Sequence, residues 1–264
     1  MQADPAANQR VLKGFSVAGP TDGHAVVLLH GVFFDKSMWQ PVADLLALKF
    51  RVVSIDLPGH GDLHEESFTM AKAIRWLSEV LAATNIRPTA LVGLSLGGFV
   101  AMAAVAQNPS IADALVLTGA SREPGAYLRG PLCSLYRLLA HIPERVMHPI
   151  ARLGVRLGCR PSVARVLLAS GPWVAQGFRA LTELPRSGFR ERLRTFDGQV
   201  LLLNGRRDVL VRGDQDSFLA ACRNGRLETI PGVGHLAPLQ ASDVFAEAVA
   251  AFVQDVTSKG APGQ

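Results

Sequence analysis

Five short, largely apolar runs recur along the chain, at residues 25–29, 50–55, 90–92, 114–118 and 199–204. Those at 25–29 and 90–92 are hydrophobic without alternation, as strands covered on both faces of a parallel sheet are, and the others read as further strands. Residues 11–17 and 226–230 read as a first and a last strand. Between these runs the period changes. From about Ser37, the residues Trp39, Val42, Leu45 and Leu46 fall on one helical face, and over 67–83 Met70, Ile74, Leu77 and Leu81 do the same. Residues 99–107 are Ala-rich, with good helix propensity, and 244–253 closes the chain as a helix. Strands alternating with helices predict one α/β domain with a mainly parallel, doubly wound sheet.

The rhythm stops at residues 122–194, where helical stretches (132–140, 144–157, 162–169) run between Gly and Pro punctuation. We read this segment as a helical lid inserted after the strand at 114–118. It divides the core into a first part, 1–121, and a second, 195–264. Residues 1–10 read as a loosely attached arm, and a polar tail begins at Thr257. Charge sets the insertion apart as well. Residues 122–194 hold thirteen arginines, no lysine and four glutamates, a net +9, so the rest of the chain carries −4 of the total +5. Arg152, Arg156 and Arg160 are spaced to share one helical face. Such a face is either simply solvated or attracts an anionic partner: a carboxylate-bearing substrate, an acidic carrier protein or an anionic lipid surface.

At 264 residues, 48% hydrophobic and 19% charged, the composition is that of a globular protein with a sizeable core. The N-terminus lacks a basic region followed by an apolar one, and no apolar run nears the ~20 residues of a membrane span. A cytoplasmic protein with no transmembrane segment is expected. Three widely spaced cysteines (Cys133, Cys159, Cys222) argue against a disulfide framework and against zinc. No metal-ligand spacing or Gly-x-Gly-x-x-Gly loop occurs, so no cofactor, metal or nucleic-acid partner is expected.

The strand at 90–92 and the helix at 99–107 are joined by Gly93-Leu94-Ser95-Leu96-Gly97-Gly98. A strand reversing into a helix over so few residues needs a sharp turn. Flanking glycines permit it and leave the Ser95 hydroxyl at the apex, by the positive end of the helix. A serine is a weak nucleophile until a base takes its proton and a third group orients the base. In an open parallel sheet such groups gather beyond the C-terminal ends of strands. His235 is the one histidine of seven that follows the last strand. Asp208 follows the strand ending at Asn204, whereas Gly119-Ala120-Ser121, after the strand at 114–118, offers no carboxylate. Asp214 and Asp216 read as helix-capping residues. The order Ser95, Asp208, His235 is nucleophile, acid, base. An oxyanion would be held by the backbone N–H groups of Leu96 and of Val32, in the loop after His30-Gly31, with His30 as a loop anchor.

Leu29-His30-Gly31-Val32, Asp56-Leu57-Pro58-Gly59-His60-Gly61, Gly93-Leu94-Ser95-Leu96-Gly97-Gly98, Asn204-Gly205-Arg206-Arg207-Asp208 and Gly234-His235 together resemble the α/β-hydrolase superfamily, over roughly residues 11–256. The likeness is to its lid-bearing esterase branch, which includes carboxylesterases, carrier-protein methyl ester esterases and C–C bond hydrolases. Asp62 and Glu65-Glu66 stand where relatives often carry Ser and a basic residue. The resemblance implies a serine hydrolase acting on a small-molecule carboxylic ester through an acyl-enzyme. Alternatives are the same residues acting on a C–C bond, a lactone or a thioester, or a binding protein that keeps only the fold.

Overall fold

The computed structural model describes residues 13–260, apart from 127, 129, 159, 160, 170 and 186. Strands β1 (Phe15–Ala18), β2 (Ala25–Leu29), β3 (Arg51–Ile55), β4 (Ala90–Leu94), β5 (Ala114–Thr118), β6 (Gln199–Gly205) and β7 (Asn224–Ile230) form one sheet in the order β1-β3-β2-β4-β5-β6-β7. All pairings are parallel except that of β1 with β3. The expected mainly parallel α/β-hydrolase sheet is observed.

β2, β4 and β5 are buried along their whole length, which explains their unbroken apolar runs. Successive residues feed opposite layers. Val27 and Leu29 face a core with Leu77, Phe99 and Phe189, and Val26 and Leu28 one with Trp39, Phe245 and Phe252. Helices α1 (Gln40–Leu46) and α11 (Ser242–Gly260) cover the second layer, and α2 (Met70–Thr84) and α3 (Leu96–Gln107) the first. Removing a buried leucine such as Leu28 would cost roughly 2–5 kcal/mol.

Between β5 and β6 lie α4 (Gly130–Leu139), α5 (Glu144–Gly158), α6 (Pro161–Ala169), α7 (Val174–Glu183) and α8 (Phe189–Arg194). α8 turns back into the core, where the Phe189 and Phe99 rings lie 4.6 Å apart. α9 (Gln215–Leu219) and α10 (Ala237–Gln240) follow β6 and β7.

Several boundaries differ from the sequence expectation for local reasons. The helix expected from Ser67 starts at Met70, because the Thr69 side chain accepts a hydrogen bond from Lys72 N and caps it. Phe50 stays outside β3, its N–H closing α1 on Leu46 O. The polar tail from Thr257 is helical through Gly260, where the hydroxyls of Thr257 and Ser258 bond backward to Gln254 O and Asp255 O. The arm at 1–10 and residues 11 and 12 of the first strand lie outside the described residues. No described helix is long and apolar enough to cross a membrane.

Candidate active site

The chain runs from β2 to β3 on one side and then to β4 on the other, so the crevice at the C-terminal ends of β2 and β4 is the topological switch point of the sheet. The loop carrying Val32 leaves β2 there, and Ser95 leaves β4.

Ser95 occupies the N-cap of α3 with φ 49° and ψ −108°, a conformation side chains rarely adopt. Its N–H bonds Thr118 O at 2.8 Å, pinning the turn to the end of β5. Two glycines make the turn fit. A Cβ on Gly97 would lie 2.2 Å from Leu29 O, and one on Gly93 would lie 2.4 Å from Gly98 N. Leu96 supplies the first N–H of α3, which finds no acceptor among the described residues.

Val32 is oriented by a chain of contacts that starts at a buried histidine. Leu57 N–H donates to His30 Nε2 at 2.9 Å, which leaves the proton on Nδ1, and Nδ1 lies 2.8 Å from Gly31 O. Phe34 N–H also donates to Gly31 O. With that carbonyl held, the Gly31–Val32 peptide turns its N–H the other way, without a partner among the described residues. Burial, then the neighbouring His60, holds the His30 pKa well below the usual histidine value, so the ring stays neutral and keeps this tautomer. The next carbonyls are held as well: Val32 O lies 2.6 Å from His60 Nε2, and Phe33 O accepts from Trp173 N–H at 3.1 Å. The loop is anchored further by Trp173 Nε1, which donates to Asp35 Oδ2 at 3.0 Å.

Asp208 and His235 meet. His235 Nδ1 lies 2.8 Å from Asp208 Oδ2, and Asp208 Oδ1 accepts from Leu210 N–H at 3.0 Å. The loops after β6 and β7 that carry them are stitched together by Arg206 N–H to Ile230 O and Arg207 N–H to Val233 O. Ser95 Oγ makes no hydrogen bond to the imidazole among the described residues; the two are linked through β5. The imidazole lies against Gly119, so closely that a Cβ there would come within 2.6 Å of Cε1 and 3.3 Å of Nε2. Gly119 follows Thr118, the residue that holds the Ser95 turn.

Sequence reasoning missed Gly119 and Asn204. The buried Asn204 amide accepts from Gly119 N–H at 3.0 Å and donates to Ser121 Oγ at 2.9 Å, joining the ends of β5 and β6 behind the imidazole. The signal was available: Asn204 breaks the apolar run Val200–Leu203 near the C-terminal end of its strand, and it is buried there. Other expectations are corrected. Asp214 is at the N-cap of α9 but makes no capping bond, its carboxylate facing Arg122 Nε at 3.8 Å instead. Asp62 is absorbed by an ion pair, accepting from Lys36 Nζ, which also serves the buried Asp56. Of the three spaced arginines, Arg152 is engaged with Leu168 O, Arg156 is exposed, and Arg160 lies outside the described residues.

The sequence profile of the alpha/beta hydrolase family matches residues 26–248. The chain is an alpha/beta hydrolase. Over 246 residues this hydrolase is 29% identical to the pimeloyl-[acyl-carrier protein] methyl ester esterase of Xanthomonas campestris, covering 88% of this chain and 95% of that one. An uncharacterised protein of Mycobacterium tuberculosis is 34% identical over 124 residues, 45% of this chain; the hydrolase spans little more than a third of that relative, 36% of its length. Among solved structures, a thermophilic esterase from Thermogutta terrifontis superposes with a TM-score of 0.77 at 22% identity, covering 92% of this chain and 93% of the other. A polar groove of about 970 Å³ in the hydrolase, lined by His24, Asp113 and Arg226 among others, lies at the opposite, N-terminal ends of the strands. Its charges are already paired, Arg87 with Asp113 and Arg226 with Asp255.

Proposed function

We propose that this hydrolase cleaves carboxylic esters through an acyl-enzyme formed on Ser95. The observation that carries the reading is the 2.8 Å contact of His235 Nδ1 with Asp208, set over Gly119 beside the turn that exposes Ser95. Asp208 accepts a hydrogen bond from Nδ1–H, which keeps that proton on Nδ1 and leaves the lone pair on Nε2, ready to act as a base.

The steps follow from these roles. Ser95 Oγ attacks the ester carbonyl as its proton passes to His235 Nε2. The carbonyl oxygen becomes an oxyanion held by the N–H groups of Val32 and Leu96, the two free donors flanking the switch point. Asp208 stabilises the imidazolium. The imidazolium then returns its proton to the departing alcohol, leaving Ser95 acylated. Water attacks the acyl carbon, giving its proton to His235; the carboxylic acid is released and Ser95 regains its hydrogen. The segment 122–194 would act as a lid over this site, since α7 is bonded to the Val32 loop through Trp173. A medium-sized acyl ester is the substrate class that the likeness to a carrier-protein methyl ester esterase favours.

Labelling by a fluorophosphonate probe, with hydrolysis of p-nitrophenyl esters of graded chain length, tests the reading. Wild type is expected to label and to turn over, Ser95→Ala to do neither, and Asp208→Asn to lose about 10⁴ in kcat. Undiminished hydrolysis by Ser95→Ala would overturn it.

A further inference from the structure

Helix α5 turns its apolar face the wrong way. Met147, Ala151 and Val155 are partly buried where it packs on α6 and α7, but Val146, Ile150, Leu153 and Leu157 are 47%, 62%, 56% and 79% exposed. Their spacing of four, three and four residues aligns them along one ridge facing solvent. Singly exposed leucines need no explanation; four in line on a fifteen-residue helix do.

The flank of the ridge is basic. Arg145, Arg152 and Arg156 lie about a quarter-turn round the helix from the ridge, with Arg145 and Arg156 exposed. The single acid of α5, Glu144, is turned away and accepts Ala175 N–H at 2.8 Å. The outward surface of α5 is therefore apolar and positive only. A second copy of the same helix would bring like charges together. The ridge is also convex, and a protein partner would need a matching groove, whereas a lipid surface accepts a ridge without one.

We propose that α5 is an interfacial helix that seats this protein on an anionic lipid surface. The four aliphatic side chains enter the acyl boundary, and Arg145 and Arg156 reach up to the headgroup phosphates. The inference goes beyond the ester-hydrolase reading and does not depend on it, because binding requires no turnover.

Flotation of the full chain with vesicles of phosphatidylcholine, alone or mixed with phosphatidylglycerol, tests it. Wild type is expected to float with the anionic vesicles roughly tenfold more than with the neutral ones, and to lose that preference at high salt. L153E/L157E is expected to fall to background, with circular dichroism and thermal unfolding verifying that it is folded. R145Q/R156Q is expected to keep weak binding but lose the anionic preference. Absence of wild-type flotation, or equal flotation by L153E/L157E, would overturn the proposal. So would a wild-type dimer, seen by light scattering, that L153E/L157E splits, since the ridge would then be a contact between copies. Binding to an acidic carrier protein in place of vesicles would overturn it as well.

Discussion

Gly119→Ala perturbs the candidate site at one point and by a calculable amount. The new methyl would lie 2.6 Å from His235 Cε1, against the ~3.5 Å at which carbon atoms first meet without repulsion. The imidazole must therefore move by nearly 1 Å, away from the end of β5 and from the Ser95 turn. A misplacement of that size costs about 10²-fold in rate, equivalent to about 2.7 kcal/mol in the barrier. The backbone adds a separate cost: Gly119 has φ +63°, where an alanine is strained by about 1–2 kcal/mol. Gly232→Ala separates the two effects. It carries the same kind of strain, φ +77°, three residues before His235, yet a Cβ there meets nothing within 4 Å. Both variants are expected to lose similar stability in urea titrations, and only Gly119→Ala is expected to lose kcat/KM for a p-nitrophenyl ester. If Gly119→Ala keeps kcat/KM within about threefold of Gly232→Ala, the imidazole does not work from the position described, and the assignment of His235 as base fails.

Lys36→Met would strand the fully buried Asp56 carboxylate, which now accepts from Lys36 N and Nζ and from Asp62 N. A loss of about 3 kcal/mol in urea denaturation is expected, partly restored by adding Asp56→Asn; a loss below about 0.5 kcal/mol would remove the pair from the stability argument. Stability is also expected to fall on mild acidification. Burial holds both His30 and His60 below the usual histidine pKa, so below about pH 6.5 the unfolded chain binds more protons than the folded one. Each histidine then contributes a loss of about 1.4 kcal/mol per pH unit. Asp56, whose pKa burial raises, works in the opposite sense, in the window between the ordinary carboxyl value and its raised one. Urea midpoints measured from pH 7.5 to 5.5 should drop, and His30→Gln should lessen the slope; midpoints that rise over this window would refute the sign.

The sheet was readable because β2, β4 and β5 are covered on both faces, so burial leaves an unbroken apolar run in the sequence. Ser95, Asp208 and His235 were legible as candidates for a different reason: each is a reactive residue type in a loop after a strand. Gly119 and Asn204 were not. Neither carries a reactive group, and their mutual bond spans 85 residues, beyond the reach of any local pattern. In α5 the periodicity was plain, but periodicity fixes which residues share a face and leaves open whether that face is turned inward. The arginine spacing is legible in the sequence, whereas the exposure of the aliphatic ridge beside it follows only from how α5 packs on α6 and α7.

β5 and β6 are hydrogen-bonded neighbours, with Leu117 opposite Leu202. The chain therefore leaves the sheet and re-enters it one strand apart, separated by about 4.8 Å. Lengthening what lies between costs little, since closure entropy grows only with the logarithm of loop length. Evolution can thus swap, shorten or extend this excursion while every ladder in the sheet stays as it was, and with it the turn at Ser95. A descendant could acquire a new appetite without relearning how to fold. One toll remains on such exchange: Phe189 fills the core against Phe99, so any replacement must return an aromatic side chain to that spot before rejoining β6.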